Sequence, residues 1–279
     1  MSGAVGFIGL GQIGAPMAEH LLGWPGGLVV CDVRPEACEP FVVKGATAVA
    51  TPADVAAAAD VISVMVRDDA QVEEVLDGVL AAGRAGVVVA VHSTIAAGTA
   101  ERLAERAAPA GVAVVDAPVS GGFMGAAEGT LAVMVGGDGD AVERCVEPFG
   151  RWAGLVAHLG PVGAGTRAKL ARNIVTFVSF AAVGEALRLA EEAGVDLVRL
   201  GEVVRHSDAI TGGAGAVAIR GTAGVLAEDD PLRAIFAHTR QLGEKDLHLA
   251  LALGEELDVD LPLARMALEL LGPSLGVPS

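Results

Sequence analysis

Residues 4–22 read AVGFIGLGQIGAPMAEHLL, and the order of events along this stretch decides the fold. Ala4 to Ile8 is a short apolar run of the kind a buried strand makes. It passes at once into Gly9-Leu10-Gly11-Gln12-Ile13-Gly14, and from there into helical spacing that lasts to about Leu22. Glycines at this spacing are common in turns, but between a strand and a helix they point to a dinucleotide. Gly9 permits the tight turn, Gly11 lets backbone approach a pyrophosphate, and Gly14 lets helix and strand pack closely. The helix N-terminus then offers free N–H groups and the positive end of its dipole to the phosphates.

The next strand, Leu28 to Cys31, ends in Asp32, eighteen residues beyond Gly14, where a carboxylate meets the adenosine ribose hydroxyls. Asp32 repels a 2′-phosphate and favours NAD, whereas Arg34 would grip that phosphate and favour NADP. The balance lies with NAD, and NADP is the alternative. Val61–Val66 and Val87–Val91 are β-branched runs without helical period, read as interior parallel strands, with a helix over Gln71–Ala82 between them. Their ends carry Met65, Val66, Ser93 and Thr94 towards the ligand crevice. Ser93-Thr94 reads equally well as a helix N-cap.

A further strand, Val112 to Asp116, leads into Asp116-Ala117-Pro118-Val119-Ser120-Gly121-Gly122. The Ser120 hydroxyl and the bare amides of two glycines can form a concavity for a carboxylate, or else a plain glycine turn. Gly129–Gly137 reads as a strand, Asp138–Phe149 as a helix, and Trp152 as packing. After Gly165 the pattern changes. Helical spacing runs without a break from about Thr166 to Ala193, long enough to bridge two domains. Leu197–Val204, Pro231–Leu253 and Leu261–Leu271 read as helices, and Thr211–Gly224 as a glycine-rich, mobile loop. The expected fold is therefore α/β: a doubly wound Rossmann domain over 1–162, and an all-α domain over 163–279 joined through a long helix. On that helix Lys169 and Asn173 stand one turn apart on one face, so both can reach one small ligand.

Composition narrows the function. A net charge of −16 argues against nucleic acid and anionic membrane surfaces as partners. No uninterrupted apolar run has the length of a membrane span. Three cysteines without a CxxC pair fit a reducing compartment, and six scattered histidines without ligand spacing argue against a metal. With three residues before the first strand there is no room for a leader, so a cytoplasmic protein is expected.

Five stretches together carry a resemblance: GFIGLGQIGAPMA at 6–18, HST at 92–94, DAPVSGG…GTLAVMVGG across 116–137, GAGTRAKLARN at 163–173 and KDLHLAL at 245–251. In order and spacing they resemble the β-hydroxyacid dehydrogenases of the 3-hydroxyisobutyrate dehydrogenase type. That group also takes in tartronate semialdehyde and glyoxylate/succinic semialdehyde reductases and, distantly, 6-phosphogluconate dehydrogenase. The resemblance implies hydride transfer between NAD(P) and a small anionic hydroxyacid or its semialdehyde. It implies Lys169 as catalytic acid and base, Asn173 as a substrate contact, and Ser120, Gly121 and Gly122 as the carboxylate site. Thr94 would touch cofactor and substrate, and Lys245 the nicotinamide half. The long apolar helix suggests a homodimer or homotetramer.

The chain departs from the family pattern at Arg172, where a second asparagine is usual, and at Arg67, where a proline is common. It departs also at His238, where a phenylalanine is expected with Phe236 two places earlier, and it ends short of the usual tail. Imine reductases share the architecture, but they generally carry aspartate or tyrosine at the lysine position and lack the DAPVSGG loop. Non-catalytic dinucleotide-binding scaffolds have lost the lysine.

Overall fold

The computed structural model describes residues 3–278. The chain divides into two compact units, Met1–Arg172 and Asn173–Ser279, and the division falls inside one long helix.

The first unit runs β1 (Val5–Ile8), α1 (Gly14–Glu19), β2 (Leu28–Cys31), α2 (Glu39–Val43), β3 (Thr47–Ala48), α3 (Pro52–Ala58), β4 (Val61–Val64), α4 (Asp69–Ala81), β5 (Val88–Val91) and α5 (Thr99–Ala107). It continues with β6 (Ala113–Asp116), β7 (Val119–Ser120), α6 (Gly122–Glu128), β8 (Leu131–Gly136), α7 (Gly139–Phe149) and β9 (Ala153–Gly160), then enters α8 (Ala164–Glu192). The strands make one nine-stranded sheet in the order β3-β2-β1-β4-β5-β6-β8-β7, with β9 on β8. From β3 through β6 the pairs are parallel, while β8 runs antiparallel to β6 and β7 and parallel to β9. Strand order reverses between β1 and β4, and the crevice at their C-terminal ends is where such sheets hold ligands.

Both faces of the sheet are covered, which is why its strands read as unbroken apolar runs. Side chains alternate between two cores. Phe7, Val30, Val88, Ala90 and Val115 pack on one side, and Ile8, Val29, Cys31, Val89 and Val114 on the other. The helices of this unit begin where local chemistry allows. Thr51 and Asp54 form a reciprocal capping box on α3, Asp68 caps α4 through the Gln71 amide, and Asp138 caps α7 through the Asp140 amide. Trp152 is fully buried, as its packing role requires.

The second unit is helical: the remainder of α8, α9 (Leu197–Thr211), α10 (Pro231–Glu256) and α11 (Pro262–Ser274). α9 is longer than its sequence pattern suggests, because Gly212 in the left-handed region provides its stop, not Val204. The nearly buried Glu185 of α8 accepts the Leu263 and Ala264 amides at 3.0 and 2.8 Å and so caps α11. Leu226, Phe236, Leu275 and Val277 form a small core. α8 has the length and composition to cross a membrane, with a mean hydropathy of 1.3 in its most apolar window. Charged residues are scattered along the helix, so the sequence shows no uninterrupted apolar run there.

Candidate active site

The strand ends of the first unit enclose a cavity of about 1010 Å³. It is lined by Gly9, Gly11, Gln12, Ile13 and Gly14, by Asp32 and Arg34 after β2, and by Met65 and Val66 after β4. Most of the residues that the sequence assigns to a cofactor thus line one cavity. Leu10 is the exception among the glycine-loop residues, for its side chain is buried in the core. Its amide serves the site instead, donating to Asp32 Oδ2 at 2.7 Å. Gly9 has φ +94°, and a Cβ there would come within 2.3 Å of the Met65 carbonyl oxygen. A Cβ on Gly11 would meet nothing within 4 Å, so its backbone borders the open space of the cavity. These features fit a dinucleotide.

Asp32 Oδ1 also accepts the Arg34 amide at 2.9 Å and the Arg34 Nε at 3.3 Å. Burial pushes the Asp32 carboxyl up, but the Arg34 and Leu10 amides and the Arg34 guanidinium outweigh burial and hold it below the usual range. Arg67 lines the cavity with its guanidinium 3.5 Å from Asp68.

The HST segment divides its labour. His92 is fully buried between Phe149 and Trp152, bonded at 2.8 Å to the Ala117 carbonyl and at 3.0 Å to Ser63 Oγ. Burial brings its pKa down to about 4, so the ring is neutral and structural. Ser93 donates to the Val66 carbonyl at 2.7 Å and accepts the Val66 amide at 3.0 Å, pinning the ends of β4 and β5 together. It caps no helix: α5 begins at Thr99 behind Gly98. Thr94 is exposed.

Lys169, on the first turns of α8, is 9% exposed. Its Nζ donates to the Val119 carbonyl at 2.7 Å, directly beside Ser120. Burial lowers its pKa, and the Arg172 charge lowers it further. Ser120 ends β7, half-buried. Gly121 and Gly122 are exposed, and Gly122 opens helix α6, so the expected glycine loop is the N-terminus of a short helix. Sequence reasoning missed that helix, since its seven residues, GFMGAAE, carry no amphipathic period.

In the second unit Asn173 is half-buried, four residues after Lys169 on the same helix. Lys245 is exposed on α10 with its Nζ 2.9 Å from Asp246 Oδ1. Phe236 belongs to that unit's own core, and His238 is exposed.

Two family models cover the chain. One, the NAD binding domain of 6-phosphogluconate dehydrogenase, matches residues 4–160. The other, described as NAD-binding of NADP-dependent 3-hydroxyisobutyrate dehydrogenase, matches residues 163–273. An uncharacterised oxidoreductase of Mycobacterium tuberculosis is 60% identical over 98% of this chain and 94% of its own length. The NAD-dependent L-serine dehydrogenase of Pseudomonas aeruginosa is 35% identical over 95% of this chain and 90% of its own. A crystal structure of an oxidoreductase from Mycobacterium avium 104 superposes with a TM-score of 0.94 at 53% identity, covering 99% of both chains.

Proposed function

The chain belongs to the β-hydroxyacid dehydrogenase family of NAD(P)-dependent oxidoreductases, and on that premise we propose that it interconverts a small β-hydroxy carboxylate with its semialdehyde. The substrate class is 3-hydroxyisobutyrate and its near neighbours. L-serine, in the name of the Pseudomonas relative, carries the same 3-hydroxyl and carboxylate. The observation that carries the reading is the bond from Lys169 Nζ to Val119 O, which sets a buried amine beside the Ser120–Gly122 segment.

Bound NAD(P) supplies the hydride acceptor or donor. Lys169, as a neutral amine, takes the proton of the substrate hydroxyl in oxidation, and as an ammonium it returns that proton in reduction. Ser120 and the amides of Gly121 and Gly122 hold the carboxylate, and Asn173 orients the reacting oxygen. Thr94 and Lys245 serve the nicotinamide half. Residues 1–162 act as the dinucleotide domain and 163–279 as the substrate and oligomerisation domain. NAD is the preferred cofactor, because the Arg34 guanidinium is turned onto Asp32 and that carboxylate would face a 2′-phosphate. Cys31, Cys38 and Cys145 are free and buried, in keeping with a reducing cytoplasm.

The test is initial rate at 340 nm with NAD and NADP against small 3-hydroxy and 2-hydroxy acids and the matching semialdehydes. Turnover of a 3-hydroxy acid with NAD ahead of NADP is the expected result. Silence across the panel with NAD still bound would sink the assignment. Within the same assay Ser120→Ala should raise the substrate KM before it alters cofactor affinity. A change confined to cofactor affinity would move Ser120 out of the carboxylate site.

α8 leaves Ile174, Phe177 and Phe180 each at least 61% exposed. Exposed aromatic residues at this density mark an interface. We assign the covering partner to a second copy of this chain, since a charge of −16 disfavours an anionic bilayer. Light scattering without detergent should show a dimer or tetramer, and Phe177→Glu with Phe180→Glu should yield monomers. A monodisperse monomer in the unaltered protein would rule this out.

A further inference from the structure

Asp116 ends β6 with no exposed surface. Its side chain meets no cation within ion-pair distance among the described residues. Instead Oδ1 accepts the Gly163 amide at 2.7 Å and Oδ2 the Thr166 amide at 2.6 Å, both at the start of α8. Short bonds from amides to a carboxylate are the strong class of hydrogen bond. Such amides have no partner within their own helix.

Most caps in this protein are local. Asp68, Asp138, Asp196 and Asp230 each cap the helix that follows them. α8, like α11 with Glu185, is capped from a distance: Gly163 occupies its cap position with φ +90° and no side chain. The cap comes from the sheet, 47 and 50 residues away in sequence. Room for it is left by Gly136 on β8, where a Cβ would lie 2.4 Å from Asp116 Oδ1.

The same segment makes a second contact with the same helix. Three residues after Asp116, the Val119 carbonyl receives Lys169 Nζ, three residues after Thr166. Residues 116–120 therefore grip α8 at two points about one turn apart. One point is a buried carboxylate on backbone amides, and the other is the side chain placed at the chemistry. We propose that Asp116 is a positioning residue: by holding the Gly163 and Thr166 amides it fixes the azimuth and height of α8, and with them the place of the Lys169 amine relative to Ser120. It touches neither substrate nor cofactor. The claim rests on the role given to Lys169 above.

Asp116→Asn keeps the shape and one acceptor but turns an NH₂ group towards an amide donor. Loosening the helix by a fraction of its rise should lower kcat by roughly 10²-fold, the scale of a misplaced reacting group. The substrate KM and the NADH dissociation constant should stay at their original values, and Asp116→Ala should lower kcat further. A purely structural cap would lower the melting temperature and leave kcat per NADH-binding site unchanged below it, which would overturn the proposal. A loss of NADH binding in step with kcat would overturn it too. Hydrogen exchange on the unaltered protein gives an independent check. The Gly163 and Thr166 amides should exchange as slowly as those of β6, and exchange at the rate of surface amides would refute the clamp whether or not the variants fold. The two assignments fail separately. If Lys169→Ala keeps full turnover, the lysine role falls. If Lys169→Ala is inactive while Asp116→Asn keeps its kcat, only the positioning role falls.

Discussion

Lys169→Ala is expected to lower turnover in both directions by roughly 10²–10⁴-fold, the usual contribution of a positioned acid or base. The dissociation constant for NADH should barely move, since the cavity of about 1010 Å³ is lined by other residues. The physical case rests on environment. A free lysine, with a pKa of about 10.4, is almost wholly charged at neutral pH and a poor base. Here burial comes first and the Arg172 charge second in lowering that pKa. Both disfavour the ammonium, so the neutral amine becomes populated at lower pH than in free lysine. Oxidation needs the neutral form, so its rate should rise with pH through the Lys169 titration and level off above it. Reduction needs the ammonium and should fall over the same interval. Arg172→Asn, which restores the residue usual in the family, removes one of the two depressing effects and should move both limbs to higher pH. Lys169→Arg keeps the charge but gives up a usable proton, and should be as inactive as the alanine variant in oxidation. Near-normal turnover in Lys169→Ala, measured alongside intact NADH binding, would show that another group handles the proton.

How much of this was legible beforehand follows from where each signal resides. The β1–α1 turn was legible because Gly9 and Gly14 are forced by close backbone contacts, and such glycines leave a local trace. α8 was legible because its period is unbroken. β9 was not, since AGLVAHLG has no clean alternation and sits half-exposed on β8 with shifts in register. The cap on α8 was hidden for another reason. Asp116 stands in a motif that reads as a strand end, and its partners lie 47 and 50 residues on. The glycine at the cap position of α8 says nothing of a cap that arrives from the sheet, for α5 and α6 also start behind a glycine and have no side-chain cap. His92 belongs to a short local motif, yet its burial between Phe149 and Trp152 depends on side chains more than fifty residues downstream. Local rules reach the elements, while the clamps between elements are a property of the packed sheet.

Gly9→Ala should do the reverse of Lys169→Ala, weakening dinucleotide binding tenfold or more before it alters the proton chemistry. Two independent costs meet at this residue. Its φ of +94° lies where a Cβ is disfavoured, a cost of about 1–2 kcal/mol for an L-residue in the left-handed region. The Cβ would also come within 2.3 Å of the Met65 carbonyl oxygen, and that atom is backbone at the end of β4, with no rotamer to escape into. Either β4 or the glycine loop must shift. Met65 donates its amide to the Ile8 carbonyl, so β4 is held to β1 at the contact. The loop therefore gives way. Its movement withdraws the Leu10 amide from Asp32 and disturbs the backbone that faces the pyrophosphate. At roughly 1.4 kcal/mol for each factor of ten, these costs predict an NADH affinity weakened tenfold or more. Calorimetric titration with NADH reads this directly. If affinity were unchanged while the variant stayed folded, the pyrophosphate would not lie against this loop, and the cavity between β1 and β4 would have to serve some other ligand.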